Sequence, residues 1–156
     1  MDAVRGTLFG FIPPYPAYSA EGRMVTNTPC RISVCTSCKD RSGTRPGYQL
    51  IERLQSELAR NDMLQKQFQV AGVACMAGCN SPCAVGFHGL GKATYLFGDL
   101  TPADDVDDIV TFAQQYLHLH DGWCSSVDRP GKLRKSTLAR VPATLFTAPP
   151  IAEASE

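Results

Sequence analysis

No apolar run in this sequence of 156 residues approaches the roughly 18 residues that a membrane span needs. The longest candidates, such as Leu8 to Ile12, meet Pro13 and Pro14 at once, so no membrane association is expected. Net charge is missing as well. Fifteen basic residues balance fifteen acidic ones, which argues against a generally basic nucleic-acid binder. Nor is there a secretory start: Asp2 precedes Arg5, and no apolar stretch with a small-residue cleavage site follows. The chain is therefore expected in the cytoplasm. Histidine is scarce, at 88, 118 and 120 only, with no partner motif nearby. With 44% hydrophobic and 19% charged residues the sequence is nonetheless built to fold, and its length suits one domain with tails.

Cysteine is what the sequence has in excess. Seven are present, at 30, 35, 38, 75, 79, 83 and 124. An odd count without an export signal argues against a disulfide framework, because a reducing compartment keeps thiols free. Cys35-Thr36-Ser37-Cys38 has the spacing at which a turn brings two sulfurs to one side of a metal. Cys75, Cys79 and Cys83 follow one another at intervals of four, which suits a loop wrapping something larger than one ion. Soft thiolates in two distant sets fit either zinc or an iron-sulfur cluster. Cys30-x4-Cys35-x2-Cys38 also matches the plant-type ferredoxin spacing, but reach argues against it. If residues 31 to 34 form a strand, the five steps from Cys30 to Cys35 span about 16 Å at roughly 3.3 Å each. Cys30 is expected to be no ligand.

Residues 1–29, with Pro13, Pro14, Pro16 and Pro29, read as an irregular N-terminal extension. Arg31 to Cys35 alternates as a strand, and Leu50, Ile51, Leu54 and Leu58 make one helical stripe that Asn61-Asp62 closes. Further strands are expected over 69–74, 83–88 and 93–97, the last two joined by the glycine-containing turn 89–92. Thr101 is expected to cap a final helix, with Pro102 at its first position and Val106, Ile109, Val110, Ala113 and Leu117 buried. Residues 123–156 read as a basic C-terminal extension and tail.

The order strand, helix, strand, strand, strand, helix is an α/β arrangement with a mixed four-stranded sheet. It resembles the thioredoxin core over a domain of residues 30–122. That likeness implies a cis bond from Ser81 to Pro82. The segments Val34 to Cys38, Cys75 to Cys83, Gly91 to Leu100 and Arg129-Pro130 together resemble a bacterial family of small proteins of unknown function described as predicted metal-binding, over about residues 31–142. The stretch from Cys75 to Tyr116 is also similar to thioredoxin-like 2Fe-2S ferredoxins. One departure is visible: those ferredoxins take a ligand about a dozen residues beyond the first cysteine, where this sequence has Arg45, Pro46, Gly47 and Tyr48.

The resemblance implies a 2Fe-2S cluster and electron transfer, with Cys38 substituting for the displaced ligand. The ligand reading is Cys35 and Cys38 on one iron and Cys75 and Cys79 on the other. Cys83 is a fifth candidate, either exchanging with Cys79 or Cys38 or packing as a small hydrophobe. Gly78, lacking Cβ, is expected to let its backbone approach the sulfurs. Implied is an electron carrier or metal-binding module, serving a redox or metal-handling protein partner, rather than an enzyme with a substrate pocket. The alternatives are a zinc-binding structural or metal-chaperone protein, and a dithiol oxidoreductase using Cys35 and Cys38. The latter needs a thiolate at a helix N-terminus, and Lys39 to Gly47 is rich in helix breakers. Finally, an acidic run from Asp99 to Asp108 and a basic run from Arg129 to Arg140 suggest a dipole able to orient a partner.

Overall fold

The computed structural model describes residues 29–143. The expected arm over 1–29 and the tail from 143 lie almost wholly outside the described residues. Five strands and three α-helices follow in the order β1 (Cys30–Cys35), α1 (Gly47–Leu58), α2 (Asp62–Gln67), β2 (Phe68–Val73), β3 (Val85–His88), β4 (Thr94–Phe97), α3 (Val106–His118) and β5 (Thr137–Val141). The sheet order is β2-β1-β3-β4-β5. Only β1 and β2 run parallel; the other three pairings are antiparallel.

The sheet alternation puts Ile32, Val34, Val85, Phe87, Tyr95 and Phe97 on one face, all fully buried. The α1 stripe of Leu50, Leu54 and Leu58 covers that face beside α3. The α3 contribution is Val106, Ile109, Phe112, Ala113 and Tyr116. Phe112 and Tyr116 thus take places the sequence reading gave to Val110 and Leu117, which pack at the margin. Their rings interlock with the sheet: Phe112 meets Phe87 edge-on at 4.9 Å and Phe97 at 5.1 Å between centroids.

Several boundaries differ from expectation for local reasons. Asn61 does not close α1; its side chain accepts from the amides of Met63 and Leu64 and so starts the extra helix α2. The final helix begins one turn late, because Thr101 Oγ1 accepts from Asp104 N in a preceding turn and Asp105 takes the cap position. The sheet has a fifth strand. It comes from the segment read as a basic extension, and it pairs with β4 from Thr94 opposite Val141 to Phe97 opposite Thr137. Side chains hold this segment down: the Tyr95 hydroxyl donates to Gly122 O at 2.9 Å and accepts from Cys124 N at 3.1 Å. The cis peptide bond lies between Pro82 and Cys83, one residue beyond the expected Ser81–Pro82 position.

Register decides what meets what at the ends of the sheet. Cys35 pairs with Val73 at the C-terminal ends of parallel strands, and Val34 pairs with Val85 at the start of β3. The connection 74–84 therefore leaves and re-enters the sheet beside Cys35. The first turn of α1 is pressed onto the same place, since a Cβ at Gly47 would run into the carbonyl oxygen of Cys35. Gly47→Ala should lower stability by about 1–3 kcal/mol through this overlap. A urea-unfolding midpoint equal to that of the parent protein would contradict it.

Candidate metal centre

Two thiol pairs stand at this end of the sheet. Cys35 and Cys38 form an inner pair, both buried, with the Cys38 thiol donating to Cys35 Sγ at 3.1 Å. Cys75 and Cys79 form an outer pair, both exposed, with sulfurs 4.0 Å apart. The pairs feel each other electrostatically: ionisation of Cys79 bears on Cys38 and that of Cys35 on Cys79. Among the described residues no three or more cysteine, histidine or acidic side chains are gathered into one ready-made metal-binding group.

Within the inner pair, Cys35 is the sulfur whose surroundings favour thiolate. Burial opposes ionisation of Cys35, but the Cys38 thiol and the amides of Ser37, Cys38 and Met76 outweigh it and hold Cys35 below the usual thiol range. Burial, followed by the bond to Cys35, pushes Cys38 up to about 11. The Cys79 thiol is also raised, chiefly by its hydrogen bond with Cys75. Ala77 N donates to Cys75 Sγ at 3.4 Å. Ala77 itself sits at φ 58°, a left-handed turn residue that reverses the loop between the outer cysteines.

The remaining cysteines are engaged elsewhere. Cys83 is fully buried, and its thiol points at Cys35 O, 3.2 Å away. Burial is the main reason it is pushed up to about 12. Cys30 lies at the far end of β1, where burial raises its thiol and Gly89 leaves room for its sulfur. Cys124 packs beneath Tyr95.

Other expected contributors fall into structural roles. Gly78 does not turn its open side to the sulfurs; a Cβ there would meet Ala84 and Leu138, so it seats the loop on the residue before β3 and on β5. His88 lies across from Arg31, at the end of the sheet away from Cys35, and shares a hydrogen bond with Ser33 Oγ at 3.1 Å. His118 ends α3, its Nδ1 against Gln114 O. The acidic and basic runs face each other instead of separating: Lys132 Nζ bonds Asp105 at 3.1 Å, and Lys132 N donates to Asp108 at 2.9 Å. Sequence reasoning missed the Met76 and Ala84 amides as sulfur donors, because backbone direction has no residue-type signature.

The two thiol pairs, with amide donors at Cys35 and Cys75, are soft ligands of the kind a metal group takes. Cys35, Cys38, Cys75 and Cys79 are the residues that would hold one.

In metal-free native protein, iodoacetamide at mildly alkaline pH should label Cys75 and spare Cys83, as read by peptide mass spectrometry. Label on Cys83 before unfolding would contradict its burial. The raised Cys83 thiol also sets a stability window. The unfolded chain ionises this cysteine near its ordinary 9.0, whereas the folded chain does so at about 12. Its contribution is therefore complete below about pH 9 and is lost as pH climbs towards 12. The melting temperature should fall across that range, less steeply in Cys83→Ala.

No curated protein sequence matches the chain. A thioredoxin-like 2Fe-2S ferredoxin from Aquifex aeolicus superposes with a TM-score of 0.51 at 17% identity, over 76% of this chain and 98% of its own. A cysteine-to-serine variant of a thioredoxin-like 2Fe-2S ferredoxin from the same organism gives a TM-score of 0.44 at 18% identity, over 57% of this chain and 87% of that one. The first likeness establishes the fold: α/β and thioredoxin-like, with five strands rather than four. A family model described as "Protein of unknown function (DUF1636)" matches residues 32–143. That match spans most of the sequence, and the chain belongs to the DUF1636 family.

Proposed function

We propose that this protein carries a 2Fe-2S cluster and acts in the cytoplasm as an electron carrier for a redox or metal-handling protein partner. Cys35 and Cys38 are the ligands to one iron, Cys75 and Cys79 to the other. The observation that carries this reading is that two thiol pairs, from segments 40 residues apart in sequence, stand at one end of the sheet, with the Cys35 sulfur against the Ala74 carbonyl and the Met76 amide of the loop that holds the outer pair. The name of the ferredoxin whose fold this chain shares supports the choice of cluster.

Bound there, such a cluster would supply reversible one-electron transfer. The chain's own contribution is electrostatic and steric. The amides of Ser37, Cys38, Met76 and Ala77 point at sulfur, and donors of this kind stabilise added negative charge. The inner pair is buried, while the outer pair stays at the surface, where a partner can approach. Cys83 is no ligand in this reading. It holds the Cys35 carbonyl and keeps the end of β1 in place.

The dithiol reading draws on the 3.1 Å separation of Cys35 and Cys38 and the lowered Cys35 thiol. Against it, no helix opens directly after Cys38; α1 begins only at Gly47. Three assays decide. Anaerobically purified or reconstituted protein should be brown, contain about two irons and two sulfides per chain, and give a paramagnetic signal after reduction. Cys75→Ser and Cys79→Ser should abolish or strongly shift those spectra, whereas Cys30→Ser and Cys124→Ser should leave them intact. Colourless protein with one zinc per chain, or metal-free protein that turns over a disulfide substrate, would refute the cluster. An unchanged Cys75→Ser spectrum would refute the ligand set.

A further inference from the structure

On the flank away from the β2 edge, the C-terminal segment forms an open cleft of about 580 Å³ lined by Trp123, Ser126, Arg129, Arg134, Thr137 and Arg140, among others. Its volume lies in the range of small-molecule sites. Three guanidinium groups line it, and no acidic side chain does. Asp128 accepts a hydrogen bond from Ser125 but stays outside the lining. Among the described residues none of the three arginines makes an ion pair.

Arg129 is the unusual member. It is only 5% exposed, and its Nε is buried with no hydrogen-bond partner among the described residues. A buried guanidinium with an unpaired N–H is costly. Its Cζ lies 5.8 Å from the Tyr95 ring centroid, an interaction that holds the plane but satisfies no N–H. The other two arginines are fixed in place by single bonds: Arg134 Nε to Arg129 O at 2.7 Å, and Arg140 to Cys124 O at 2.6 Å. Arg140 also stacks on the Trp123 ring at 3.4 Å. Each guanidinium has five N–H groups, so most of their donors remain free.

From this arrangement we infer that the cleft is a phosphate-binding site, taking either inorganic phosphate or the phosphate group of a small ester. A dianionic tetrahedral group offsets the clustered positive charge and accepts from several guanidinium forks at once. The free volume beyond one such ion leaves room for the remainder of an ester. No cysteine lines the cleft, although Leu138 of its wall touches the cysteine loop at Gly78, and the site does not depend on the cluster. It also gives a role to the Arg129-Pro130 motif that the metal centre leaves unused.

The sole tryptophan lines the cleft and is the probe. Full-length protein in low-salt buffer is titrated with inorganic phosphate, a sugar phosphate and, at matched ionic strength, sodium chloride. Saturable change in Trp123 fluorescence is expected with phosphate or the sugar phosphate and not with chloride. Tighter binding of the sugar phosphate identifies an ester as the ligand; equal or weaker binding identifies the free anion. Arg134 is exposed, so Arg134→Gln should fold normally and weaken binding by about ten-fold or more. Isothermal titration calorimetry of Arg129→Met and Arg140→Gln, each checked for folding by its thermal melt, should show a similar loss. Absence of saturation, an equal response to chloride, or unchanged affinity in folded Arg134→Gln and Arg140→Gln would overturn the inference.

Discussion

The pairing of Cys35 with Val73 on parallel strands, and of Val34 with Val85 on antiparallel ones, is the constraint on which the rest of the site depends. It forces the long β2–β3 connection to begin and end beside the last residue of β1. A shift of one residue in either ladder would turn Ile32 and Val34 out of the core. The burial of those two side chains thus fixes, at second hand, where the Cys35 sulfur stands. Below it the interlocked rings of Phe87, Phe97 and Phe112 resist any such slip. Above it the cross-links between Cys83 and Leu100, and between Asp99 N and Ser81 O, tie the cysteine loop to the end of β4.

The two thiol pairs divide their labour by depth. The inner pair has backbone donors and little water, and the outer pair has water and fewer donors. In the proposed electron carrier, this gives the two ends of one centre different surroundings. Negative charge is easier to hold where amides converge, and contact with another protein is easier where the sulfurs are exposed.

Much of the fold could be read from residue pattern, because apolar periodicity reports directly on burial. The stripe of Leu50, Leu54 and Leu58 and the alternation of Ile32 and Val34 point to the core that forms. Failures arose where one residue type serves two ends. Asn61 is as suitable for starting a helix as for ending one, and only its bonds to Met63 and Leu64 distinguish these roles. The strand at Thr137–Val141 lies at a sheet edge, half exposed and carrying Arg140, so it has no apolar alternation to betray it. At the site, spacing picked out the loop thiols but could not give their direction. That Cys83 turns inward to a carbonyl while Cys75 and Cys79 face solvent is a result of backbone path. Likewise the two charge runs, well separated in sequence, are brought into contact when the short 3-10 turn at Gly131–Arg134 packs on α3.

The outermost strand carries an implication for the exposed edge of the sheet. β4 is hydrogen-bonded on both sides only because the chain returns after residue 136 to lie along it. A fragment stopped at residue 122 would leave a row of bare amides and carbonyls on β4. It would also strip the Tyr95 hydroxyl of its Cys124 donor and remove Leu133, whose side chain is fully buried in the core. Such an edge is a template for strands of other molecules. The last described segment therefore acts as a sealing strip, and trimming the chain to its thioredoxin-like core would produce a sticky particle.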